Sequence, residues 1–201
     1  CGLPEMIIHS IADLPEVIKP DFNLHDRDIN IDKTIREMVK PLKVKFKQAR
    51  LAYNHGLEQI EIQKKHLLKE NYSKNHLKKL LILAHPYNLY DNFINMNILK
   101  KLKDMGYSAL TIDNVEEVKI NFYAGKLPKK MFWTFGRQLI GLGLYGIAEK
   151  EKLAIDGVIY LSSFACGLDS IIADYIERQI RRRGNLPFIQ LTIDEHTGQA
   201  G

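Results

Sequence analysis

The sequence is poor in cysteine and has no long apolar run, and each absence excludes a class of protein. The two cysteines, Cys1 and Cys166, cannot build a disulfide framework and suit a reducing compartment. No apolar run approaches the ~18 residues of a membrane span, and no signal peptide is visible at the start. We therefore expect a cytoplasmic protein that does not contact a membrane.

The excess of positive over negative charge is also small. The net charge is +5 over 201 residues, and the lysines are scattered without forming a basic tail or stripe. We therefore expect no nucleic-acid partner. No P-loop sequence occurs, so ATP hydrolysis by this chain is not expected. The stretch Gly141–Gly146 matches G-x-G-x-x-G, but it lies late in a helical pattern. Close helix packing explains these glycines better than dinucleotide binding.

Both ends of the sequence look cut. It starts without Met, and it stops at Gly201 shortly after a predicted strand. We expect the chain to be a piece of a longer polypeptide, whose missing N-terminal part would be its first partner.

The first 77 residues predict an irregular segment followed by a long helical arm. Residues 1–31 contain three of the seven prolines and only short apolar runs. Apolar residues spaced by three and four then predict a helix over residues 33–71, capped by Asp32. Pro41 should kink or restart this helix.

Residues 78–201 alternate between strand and helix patterns. Short apolar runs predict strands at 80–84, 107–112, 158–161 and 188–193, and helical spacing predicts helices at 92–104, 129–150 and 168–183. Crossovers of this length give right-handed connections and a parallel sheet. The predicted fold class is α/β: a Rossmann- or flavodoxin-like parallel sheet of about four strands with flanking helices, preceded by the helical arm.

Parallel strands place all their carboxyl ends at one edge of the sheet, where ligands bind in open α/β folds. Polar residues and a thiol follow these ends. The candidates for a ligand-binding edge are His85, Tyr87, Asn88, Ser162, Ser163, Cys166, Asp194, Glu195 and His196. These residue types could hold zinc, share an iron–sulfur cluster with another domain, or do neither.

Cys166 lies on the predicted turn between the third strand and the following helix. A thiol at a helix start on the binding edge is a candidate metal ligand. The alternative is a small buried hydrophobe, since free cysteine is among the most buried residue types. Position alone does not separate these two interpretations.

Four sequence blocks resemble a known family. They are ILAHPYN at 82–88, WTFGR at 133–137, LSSFACG at 161–167 and LTIDEHTG at 191–198. They resemble the C-terminal part of the activase-related proteins, also called CoA-substrate-specific enzyme activases. Those proteins are similar to the D component of 2-hydroxyacyl-CoA dehydratases and to the benzoyl-CoA reductase type. The opening GLPEMI also resembles this family.

The resemblance implies an iron–sulfur redox function in anaerobic metabolism. In the relatives, Rossmann-like lobes hold a 4Fe-4S cluster through cysteines from several loops, and an ATP-hydrolysing activator passes it low-potential electrons. Cys166 matches the late family cysteine and is the implied cluster ligand. The helix at 168–183 would stabilise the cluster, and Asp194, Glu195 and His196 would shape the adjacent surface. A CoA thioester is the implied substrate.

Two other interpretations remain open. One is a non-redox interaction or CoA/anion-binding module in which Cys166 is structural. The other is a zinc site formed by His85, Cys166 and His196, which needs three loops to meet at one ion. Only one credible thiolate lies in this chain, so we expect no cluster on this piece alone.

Overall fold

The computed structural model of the chain describes residues 3–20, 30–70 and 78–194. The chain divides into two compact units, Cys1–Gln63 and Lys64–Gly201. The domain boundary predicted between residues 77 and 78 stays a prediction. None of the helices within the described ranges is long and apolar enough to cross a membrane.

The first unit is helical. It contains α1 (Leu3–Ser10), α2 (Ile31–Val39) and most of α3 (Phe46–Glu70). The helix predicted over residues 33–71 stops and restarts around Pro41, because proline lacks the amide that would continue the hydrogen-bond ladder. The predicted cap is wrong: the side chain of Asn30, not Asp32, accepts a 3.0 Å hydrogen bond from the amide of Lys33.

The second unit is an α/β layer structure. Its further elements are β1 (Lys78–Ala84), α4 (Pro86–Tyr90), α5 (Ile98–Asp104), β2 (Tyr107–Leu110), α6 (Glu117–Ala124), α7 (Thr134–Ala148), α8 (Lys150–Leu153), β3 (Ile155–Ser163), α9 (Gly167–Gln179) and β4 (Phe188–Ile193). In the described part of the chain the strands form one sheet in the order β2-β1-β3-β4, and each neighbouring pair is parallel. The predicted fold class is confirmed, and the order is that of flavodoxin-like sheets.

Two apolar layers cover the two central strands. Alternate residues of a strand point to opposite faces. One face, with Leu83 and Tyr160, packs against α7 and α9. The other face, with Ile82 and Leu161, contributes to a second cluster that includes Leu89 of α4 and Leu102 of α5. Both central strands are therefore buried on both faces, which explains their nearly continuous apolar runs.

Several predicted helix bounds need correction. The helix predicted from residue 92 begins only at Ile98. The Asp91 carboxylate accepts hydrogen bonds from the amides two and three residues later, at 2.9 and 3.1 Å, which holds a turn. The two residues before α5 are left-handed, which also excludes a continuous helix.

Other differences affect helices around the sheet. The prediction missed α6, and the helix predicted over 129–150 begins only at Thr134 and ends at Ala148, before α8. The second strand ends at Leu110, before a short 3-10 helix at Ile112–Asn114. The last helix is regular only to Gln179 and continues as a π-helical segment, Ile180–Gly184.

The glycine string lies inside α7, as predicted, and serves close packing. A Cβ atom on Gly141 would lie 2.3 Å from the carbonyl oxygen of Ile120 in α6. A Cβ on Gly143 would lie 2.5 Å from the end of Ile176, and one on Gly146 would lie 2.4 Å from the end of Leu81. These glycines bring α7 against its neighbours. They do not form a strand-to-helix turn, so the dinucleotide-binding interpretation is excluded.

Candidate functional site at the carboxyl edge of the sheet

The strand order reverses between β1 and β3. The chain passes from β1 to β2 on one side, and then crosses to β3 on the other. In open α/β sheets this switch point opens a crevice at the carboxyl ends of the strands. His85 directly follows β1, and Ser163 ends β3. The topology therefore brings the predicted residues of these two strand ends to one place.

Cys166 occupies the tight turn from β3 into α9. Its amide donates a 3.1 Å hydrogen bond to the carbonyl of Ser163, and the residue itself is the N-cap of α9. The preceding Ala165 has φ of 59°, a left-handed conformation that is strained for a residue with a Cβ. The thiol is half-buried. Its predicted position at the edge and at the helix start is confirmed, whereas its role as a ligand stays a prediction.

A buried polar network lies beneath this edge. The Nε2 atom of His85 is 3.0 Å from Oδ1 of Asp169 on α9, but the ring N–H is not aligned as a hydrogen bond. The hydroxyl of Tyr160, in the middle of β3, donates to the same Oδ1 at 3.0 Å. Asp169 is 0% exposed and His85 is 6% exposed. Burial, followed by the negative charge of Asp169, raises the pKa of Tyr160 well above its usual value.

The network leaves polar atoms without partners. Among the described residues, no hydrogen-bond partner meets Nδ1 of His85, Nδ2 of Asn88 or Oδ2 of Asp169. Buried polar groups are nearly always hydrogen-bonded in native proteins, and each exception needs an explanation. With Nε2 of His85, four such atoms lie around this edge of the sheet, and they indicate a ligand or water site.

Tyr87 and Asn88 connect the two strand ends. The Tyr87 ring stacks on His85, with centroids 5.2 Å apart, and the Ser163 hydroxyl donates a 3.0 Å hydrogen bond to the Asn88 side chain. The pKa of Tyr87 is raised, first by burial and then by the negative charges of Asp169 and Cys166, while a hydrogen bond with Ser163 acts in the opposite direction. Tyr87 therefore contacts the imidazole directly, and the carboxylate and the thiol act on it electrostatically.

The other predicted edge residues do not all join this cluster. Ser162 interacts with β4, where the Gln190 side chain donates to its hydroxyl at 3.1 Å and the Thr192 hydroxyl lies 3.3 Å away. Asp194 directly follows β4. Glu195 and His196 lie outside the described residues.

Sequence reasoning missed Asp169 and Tyr160, which carry the buried network. An aspartate in the first turn of a helix is ordinarily explained by the helix dipole, and a tyrosine within an apolar strand is ordinarily a core residue. A useful signal was the spacing of Asp169 from Cys166, three residues along the helix, which places both near the same helix start.

A separate cavity lies at the opposite, amino end of the strands. It has a volume of about 410 Å³ and is mainly apolar, with Leu80, Tyr107 and Ile159 among its lining residues. None of the predicted site residues lines it. Its titratable lining residues are Lys78, Tyr107 and Asp156, and the Asp156 carboxylate already accepts a 2.7 Å hydrogen bond from the amide of Lys79. The buried polar atoms without partners lie at the carboxyl edge instead, which remains the better candidate site.

Residues 1–115 match the model of a family described as CoA enzyme activase uncharacterised domain. The chain belongs to this family. The match covers more than half of the chain and includes His85, Tyr87 and Asn88, whereas Cys166 and Asp169 lie beyond it. The resemblance to CoA enzyme activases found in the sequence blocks is thereby confirmed. A comparison with curated proteins finds no match.

The described residues do not form a complete metal site. No group of three or more His, Cys, Asp or Glu side chains within the described ranges is arranged to hold a metal ion. Cys166 is the single cysteine in those ranges. A metal or cluster bound at Cys166 would therefore take ligands from other residues.

Proposed function

We propose that this CoA enzyme activase domain is part of an iron–sulfur redox protein and that Cys166 supplies one thiolate to its cluster. The observation that carries the proposal is the position of the thiol. It is half-buried at the carboxyl edge of the sheet, next to the switch point where ligands bind in such folds. The family membership links the domain to CoA-dependent enzymes.

The surroundings of Cys166 suit an anionic group. Cys166 is the N-cap residue of the 13-residue helix α9, although its thiol makes no capping hydrogen bond. The unsatisfied amides and the dipole of the helix favour negative charge at that end. Phe164, two residues before Cys166, is 67% exposed. An exposed aromatic side chain beside a thiol can shield a cluster from water when a second lobe covers it.

One thiolate does not hold a cluster, because protein iron–sulfur clusters usually take four cysteine ligands. The remaining ligands would come from other segments of the intact polypeptide or from another chain. When bound, the cluster would supply single-electron transfer at low potential. The proposed partners are an ATP-hydrolysing activator, as electron donor, and a CoA thioester, as substrate.

The test is anaerobic purification of the intact polypeptide with iron and acid-labile sulfide quantified per chain. We expect both elements in the wild type and a loss of most of both in Cys166→Ser. Cys1→Ser is the matched control, and it should not reproduce that loss. A wild-type protein without iron or sulfide contradicts the proposal, and so does a Cys166→Ser protein with wild-type content.

A further inference from the structure

The buried atoms around His85 indicate a second kind of site at the same edge. We infer that His85, Asn88 and Asp169 bind a small uncharged ligand that carries both a carbonyl oxygen and an N–H group, such as an amide. This site requires no metal. It can therefore be tested independently of the proposed role of Cys166.

The unpartnered atoms define what the ligand must offer. The Nδ2 atom of Asn88 is a donor and needs an oxygen, whereas Oδ2 of Asp169 is an acceptor and needs an N–H or O–H. Nδ1 of His85 can take either role. Asn88 is 1% exposed, Asp169 0% and His85 6%, so bulk water does not hydrogen-bond to these atoms. An amide group supplies an oxygen for the donor and an N–H for the acceptor.

These atoms belong to one connected set of side chains. Asn88 accepts the hydroxyl of Ser163, whose side chain also interacts with Tyr87. Tyr87 stacks on His85, and His85 lies against Asp169. The donor and the acceptor are therefore joined through side chains in direct contact.

Charge decides between a neutral ligand and an anion. Asp169 is fully buried, and its partners are a neutral hydroxyl from Tyr160 and the ring of His85. Asp169 has no Lys or Arg partner among the described residues, so its carboxylate would repel an anionic ligand at short range.

Two aromatic rings pack against the imidazole of His85. Tyr87 stacks on one side of His85, and Phe135 of α7 contacts it edge-on at 5.6 Å. They are 50% and 49% exposed, so each faces solvent with about half of its surface. Half-exposed side chains change rotamer on a fast timescale, which opens a path to the buried atoms.

The test uses NMR of the full chain with ¹⁵N-labelled histidine. The probes are acetamide and acetate, which have the same shape and differ in charge. We expect acetamide to shift the ring signals of His85 and to bind at least about tenfold more tightly than acetate. His55, exposed on α3, serves as the internal reference and should not shift. Absence of a shift at His85 with acetamide, or equal binding of acetate, overturns the inference.

Two variants test the charge argument. Asp169→Asn removes the buried charge, so the preference for acetamide should shrink by about tenfold. Asp174→Asn, on the exposed face of α9, should leave the preference unchanged. An unchanged preference in a folded Asp169→Asn protein contradicts the assignment. If that variant does not fold, the wild-type comparison of the two probes decides.

Discussion

Replacing Gly141 by alanine should destabilise the protein, although alanine is the better helix former. The new Cβ would lie 2.3 Å from the carbonyl oxygen of Ile120 in α6, a distance that Cβ atoms essentially never show. A backbone oxygen within a helix cannot turn aside as a side chain can. Overpacking of this kind costs about 1–3 kcal/mol, and the gain in helix propensity returns about 0.5–1 kcal/mol. At the middle of both ranges the net loss is about 1 kcal/mol.

Other glycines provide matched controls. Gly143→Ala and Gly146→Ala meet the ends of flexible side chains, Ile176 and Leu81, which can shift. Their net loss should be smaller. Gly56→Ala lies within α3, where the new Cβ meets nothing within 4 Å, so it should stabilise its helix by about 0.5–1 kcal/mol.

The measurement is thermal and urea unfolding of the four variants, followed by circular dichroism. For a chain of this size, each kcal/mol should move Tm by about 2–4 °C. A Gly141→Ala protein as stable as the wild type, or one more stable than Gly143→Ala, would refute the packing explanation of the G-x-G-x-x-G string.

Three further predictions concern the carboxyl edge. Asp169→Ala should cost about 1–3 kcal/mol, because it leaves the buried Tyr160 hydroxyl without its acceptor. Tyr160→Phe should also cost about 1–3 kcal/mol, and urea unfolding measures both. The pKa of Tyr160 is raised in the folded protein, so the native state holds that proton more tightly. Stability should be unaffected below the ordinary tyrosine pKa, near pH ~10, and fall above it by up to about 1.4 kcal/mol per pH unit. A Tyr160→Phe protein should show a smaller fall, and equal slopes would contradict this. Finally, iodoacetamide should alkylate the half-buried Cys166 in the native protein, with Cys1→Ser removing the second signal; reaction only after unfolding would make it a core residue.

The parallel sheet could be predicted because its central strands are buried on both faces. Burial on both faces forces continuous apolar runs, which stand out against the polar segments around them. The turn with Cys166 was predictable for the same reason, since Ser162–Gly167 separates an apolar run from helical spacing. The strand order, and therefore the switch point, required the three-dimensional pairing.

Helix α6 could not be predicted from its pattern. Its buried positions are only Ile120 and Ala124, while Val118 and Phe122 are apolar but exposed. The apolar residues therefore do not mark one face. The start of α5 was missed for a different reason, because the Asp91 carboxylate holds a turn that apolar spacing does not reveal.

The buried network at the site was hidden because its members have ordinary explanations in sequence. Asp169 follows the preference of acidic residues for a first helical turn, and its complete burial depends on how α9 packs on β3. His85 was a candidate from its position after β1. Its contact with a carboxylate 84 residues later is long-range and cannot be read from local spacing.

The role of Cys166 is tested most directly by EPR of the reduced, anaerobically purified intact protein, compared between the wild type and Cys166→Ser. We predict an iron–sulfur signal in the wild type and the loss of most of it in the variant, because the hydroxyl of serine is a poorer iron ligand than a thiolate. Circular dichroism establishes that the variant keeps its fold. An identical signal in the two proteins, or no signal in a wild type that contains iron, would contradict the assignment of Cys166 as a cluster ligand.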